Sequence, residues 1–119
     1  MQKCWRTQVR TYFINEVNSE DIRRLKDYLA QQGHSAPIED IYWFEVPAEL
    51  LSETQQEHAG ECGPYVFPLE TGDTWVMLEL LIRPRNAMHC SCIAYADEGQ
   101  RSHVIQRLEA ILEELEIPS

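Results

Sequence analysis

A chain of 119 residues with 20 acidic and 10 basic side chains carries a formal net charge of −10. A positive face broad enough to track phosphates is therefore not expected, which sets aside nucleic acid and anionic membrane as partners. At this length one domain is the default, able to bury roughly two-thirds of its unfolded surface with no need of a disulfide or metal.

The charge is uneven. Residues 1–30 hold six basic and four acidic side chains, whereas residues 31–75 hold nine acidic ones and no Lys or Arg. With 44% hydrophobic residues, the composition is that of a folded chain. Lys3, Arg6, Arg10, Glu16 and Glu20 leave no apolar core for a secretory signal. Glu79 and Arg83 interrupt the longest apolar run, so no membrane span is expected. Cys4, Cys62, Cys90 and Cys92 show no disulfide framework, and the expectation is a reduced, cytoplasmic protein.

In chain order, Cys4 to Ile14 alternates as a strand with one wet, basic face, suited to a sheet edge. Asn18 or Ser19 caps a helix that buries Ile22, Leu25, Tyr28 and Leu29 and ends at Gly33. A second strand spans Ile38 to Val46, with consecutive aromatics at Tyr42, Trp43 and Phe44. Ser52 and Gln55 form a capping box for a short helix to about Ala59, where Gly60 makes continuation to Cys62 doubtful. That helix has almost no apolar stripe, so a surface or groove-lining position is expected. A third strand covers Tyr65 to Leu69, and Thr71-Gly72-Asp73 turns the chain back.

The densest apolar sequence follows. Residues 75–96 read as a hairpin closed by Pro84 to Ala87, which sets Leu81, Glu79 and Met77 across from Cys90, Cys92 and Ala94. Both faces of its first strand are apolar, so cover is expected on both sides, from helices or from a second copy of the chain. Asp97 and Gln100 form a second cap, and Val104, Ile105, Leu108, Ile111, Leu112 and Leu115 repeat at helical spacing over the aliphatic face. These elements give an α+β class: a mostly antiparallel sheet of about five strands ending in a three-stranded meander, two main helices and one short surface helix.

Chemistry has three candidate locations. His58, Cys62, Cys90 and Cys92 supply nitrogen and sulfur donors suited to tetrahedral zinc, with His58 and Cys62 one helical turn apart. His89 points to the other face. Glu79, with Arg83 nearby and Cys92 opposite, could floor a small-molecule pocket. A Cys–His nucleophilic pair, Cys62 with His58 or Cys90 with His103, has no basic cluster or helix N-terminus to stabilise a thiolate. His34 reads as a solvated turn residue. No phosphate-binding loop, nucleophile elbow or redox Cys-x-x-Cys occurs.

The leading expectation is a non-catalytic protein without a cofactor that binds a protein partner or forms a homodimer. Its interaction surface would carry Trp43, Trp75, Met77 and Leu81. The zinc or thiol protein and a small-molecule pocket or enzyme around Glu79 are the alternatives.

Overall fold

The computed structural model describes residues 9–85 and 92–118. In chain order the elements are β1 (Thr11–Ile14), α1 (Ser19–Gln31), β2 (Ile41–Glu45), a 3-10 turn (Ala48–Leu50), α2 (Glu53–Cys62), β3 (Tyr65–Thr71), β4 (Val76–Glu79), β5 (Leu81–Pro84), β6 (Ala94–Tyr95) and α3 (Glu98–Glu114). The fold is α+β, with every strand pairing antiparallel, as the sequence pattern predicts. Among the described residues no helix is long and apolar enough to cross a membrane.

β3 is the centre of the sheet. It pairs along its length with β2, from Ile41 opposite Glu70 to Glu45 opposite Val66. On its other side it pairs first with β4 and then with β5. Pro68 explains the division. Trp43, opposite Pro68, donates its N–H outward to His34 O at 2.7 Å, so the nitrogen of Pro68 faces β4 and β5, where it has no proton to give. There the neighbouring strand breaks at Leu80, whose own N–H donates outward to Arg10 O at 3.0 Å and whose carbonyl accepts from Ala96 N at 2.8 Å.

The break also corrects the predicted hairpin register. β1 occupies the outer edge of β4, with Glu79 opposite Thr11 and Met77 opposite Phe13. The returning strand is left only the edge of β5, where Leu81 faces Tyr95 and Ile82 faces Ala94. Glu79 is therefore not across from Cys92. The predicted partners Met88, His89, Cys90 and Ser91 lie outside the described residues, as does the start of the first predicted strand, Cys4 to Gln8.

Alternation then separates two faces. Ile14, Tyr42, Phe44, Tyr65, Phe67, Leu69, Val76, Leu78 and Ile82 join Ile22, Leu25 and Leu29 of α1 and Val104, Leu108, Ile111 and Leu112 of α3 in one buried cluster. Phe13, Trp43, Trp75, Met77, Glu79, Leu81 and Arg83 stay exposed or half-exposed on the opposite face. The three described helices bury their core side chains in the first cluster, so among the described residues no helix covers the opposite face, where Val66 is nonetheless buried.

The helix ends follow local chemistry. Asn18 accepts from Glu20 N at 2.8 Å to start α1. At its end, Gly33 N–H donates to Ala30 O and His34 N–H to Leu29 O, with Gly33 at φ 83°. α3 closes with the same bonding pattern, Glu116 N–H to Glu113 O and Ile117 N–H to Leu112 O, but with Glu116 at φ 58°. A Cβ on Gly33 would touch nothing, so its effect is purely conformational. Gly33→Ala should lower unfolding free energy by about 1–2 kcal/mol, while Glu116→Gly should raise it by about 0.5 kcal/mol, both read from urea denaturation.

α3 is tied to β1 through the Tyr12 hydroxyl, which donates to the Glu109 carboxylate. That hydrogen bond, then burial, then the negative charge of Glu109 push the phenol up to about 12. Because the folded value lies above the unfolded one, the contact contributes fully below the ordinary tyrosine range and is lost as pH rises through about 12. Glu109→Gln should bring the Tyr12 titration back toward the ordinary phenol range, followed by absorbance or ring-carbon NMR.

Candidate functional site

α2 buries one stripe of a polar sequence. Gln55, His58 and Cys62 stand at i, i+3 and i+7, one stripe of the helix. Gln55 is 1% exposed, Cys62 7%, and His58 half-buried. This stripe faces inward although it contains no aliphatic side chain. The helix does not stop at Gly60, as predicted, but runs to Cys62. Gly60 costs only about 1 kcal/mol of helix propensity, and the true stop is Gly63, whose N–H donates to Ala59 O at 3.1 Å. Any Cβ at residue 63 would lie 2.8 Å from that oxygen.

Hydrogen bonds fix this stripe. Each of the two capping boxes places a glutamine at its third helical position, and both glutamines are buried. Gln55 Oε1 accepts from Ser52 N at 3.0 Å and from Gln100 Nε2 at 3.1 Å. Gln100 Oε1 accepts from Asp97 N at 3.0 Å, and its Nε2 also donates to Leu50 O at 2.7 Å. Gln55 Nε2 reaches Cys92 O at 3.4 Å, while the Tyr65 hydroxyl donates to Gln55 O at 3.0 Å. The starts of α2 and α3 are thereby joined to each other and to the backbone at Cys92.

The consequence is a meeting of three donors. A ring nitrogen of His58 and the sulfurs of Cys62 and Cys92 lie within 4.8 Å of one another. Cys92 is 1% exposed and belongs to the core cluster. These are three of the four residues that the sequence groups as zinc ligands. Cys90, the fourth, lies outside the described residues, which also leaves its pairing with His103 outside them.

Among the described residues Glu79 and Arg83 come together, but Cys92 does not join them. Glu79 accepts from Arg83 Nε at 3.1 Å and Nη2 at 2.9 Å on the open face, where both side chains are substantially solvated. Cys92 lies in the core on the other side of the sheet. On the same face, Phe13 and Trp75 lie 5.8 Å apart between ring centroids, their planes tilted by 30°. The Trp75 ring packs so close to Gly72 that a Cβ there would sit 2.1 Å from it. Arg85 lies 4.7 Å from the Trp43 ring centre and Arg10 5.5 Å from that of Tyr95.

His34 departs from its solvated reading. Its Nδ1 is 2.9 Å from Trp43 O, and its ring meets Phe44 edge-on at 5.0 Å. A carbonyl can only accept, so Nδ1 carries the proton. It borders a groove of about 260 Å³ with Trp43, Glu45, Arg85 and Arg107. Local spacing offered no signal for this groove, because the sheet edge creates it.

No protein-family model, curated protein or solved structure matches this chain. The site therefore rests on its geometry. Gln55→Ala removes a cap and leaves buried partners without their bonds, and should cost about 2–3 kcal/mol in urea denaturation. Gln100→Ala should cost a similar amount. Because the two side chains bond each other, the double variant should lose about 1 kcal/mol less than the summed singles.

Proposed function

We propose that this chain is a non-catalytic binding protein that associates through the open face of its sheet, its first partner being a second copy of itself. The observation that carries this is the face bearing Phe13, Trp43, Trp75, Met77 and Leu81, which receives none of the core side chains of the described helices. Phe13 is 52% exposed there, a large apolar side chain for open water.

Charge favours self-association over a basic partner. The whole chain carries −10, yet on this face and its rim Arg10, Arg83 and Arg85 offset Glu45, Glu70 and Glu79. Two acidic copies repel least where each is locally neutral. A two-fold axis through such a face would bring the same aromatics together from both copies, in the aligned packing of two sheets. Nucleic acid remains disfavoured by the same net charge. A reducing, cytoplasmic setting belongs to this proposal, supported by two cysteines buried in the core.

Sedimentation velocity across the micromolar range should show a monomer–dimer equilibrium. Met77→Glu should weaken it by at least ~30-fold with an unchanged far-ultraviolet spectrum. A wild-type chain that sediments as a monomer throughout, or a Met77→Glu variant that still dimerises, would contradict the proposal.

A further inference from the structure

A second site lies on the helix-covered side of the sheet, away from the open face. We infer that His58, Cys62 and Cys92 form a zinc site, with one imidazole nitrogen and two thiolates holding the ion.

Spacing supports it first. Tetrahedral zinc, with bonds of about 2.0–2.3 Å, separates its donors by roughly 3.5–3.8 Å. The three donor atoms lie within 4.8 Å of one another, so a contraction of about 1 Å by side-chain rotation brings them into bonding range. One turn of α2 supplies His58 and Cys62 from the same stripe, and the backbone of Cys92 is held to that helix through Gln55.

Donor chemistry supports it next. Imidazole with thiolate is the set that selects zinc over the hard cations magnesium and calcium. Two thiolates cancel the charge of a divalent ion, so the complex enters the core as a neutral unit. An isolated buried thiolate would have no such compensation. On binding, both S–H bonds break, two zinc–sulfur bonds form and two protons pass to solvent. Affinity therefore rises with pH while the thiols remain protonated in the metal-free chain. Three protein donors leave one tetrahedral position for a fourth.

The site would also explain the composition of α2. A helix with little apolar surface gains a strong anchor to the core, and the segment entering β6 is fixed with it. This account does not depend on self-association, because a monomer retains all three donors.

The test uses the full chain, reduced and stripped of metal, titrated with Co²⁺ and then Zn²⁺. A saturable one-to-one complex should appear, with thiolate-to-cobalt absorption that Zn²⁺ abolishes and a raised melting temperature. Cys62→Ser and Cys92→Ser should each lower the thiolate absorption, and His58→Ala should weaken binding by at least ~10-fold. Far-ultraviolet spectra of the metal-free variants verify folding, and half-buried His58 gives the variant least disturbing to the core. Absence of saturable binding by the wild-type chain would overturn the site. So would wild-type affinity in folded His58→Ala.

Discussion

Two buried amides hold the starts of two helices together. A glutamine at the third position of a capping box ordinarily satisfies only its own helix, but here the side chains of Gln55 and Gln100 also bond each other across 45 residues of sequence. Buried polar groups are costly when partners are missing and directional when they are supplied. The pair thus orients α2 more narrowly than aliphatic packing would. It sets the inward stripe of Gln55, His58 and Cys62 and holds the backbone of Cys92 beside it.

A missing donor shapes the sheet in a complementary way. Pro68 turns its nitrogen toward the β4–β5 strand, and that strand changes partners at Leu80. β1 and β6 then follow one another along a single edge, joined to the sheet through Leu80's own N–H and carbonyl. Among the described residues, all helical cover collects on one side. The other side is left with aromatic and arginine side chains, where stacking and guanidinium contacts limit the exposure of apolar rings. The proposed recognition surface and the proposed metal site therefore lie on opposite sides of one sheet.

Features decided within one turn of chain were legible in the sequence. Ser52 with Gln55 and Asp97 with Gln100 identify two helix starts, Gly33 one helix end, and Val104, Leu108, Ile111 and Leu112 a buried face. The strand register was not legible, because it depends on competition between β1 and the returning strand for the edge of β4. Nor was the inward face of α2. Its buried residues are Gln and Cys, which a hydrophobic period does not detect, and the partners that make their burial acceptable come from α3 and from residue 92. The i,i+4 relation of His58 and Cys62 was visible in sequence, but the approach of Cys92 is a tertiary result. His34 looked like a turn residue because its acceptor, Trp43 O, lies on a neighbouring strand.

The joined helix starts can be observed directly in the side-chain amide resonances of Gln55 and Gln100. Both NH₂ groups should exchange slowly with solvent and show mutual nuclear Overhauser contacts in ¹⁵N-resolved spectra. Exchange at the rate of solvated glutamines, with no contact between the two amides, would contradict the account and remove its reason for the position of α2.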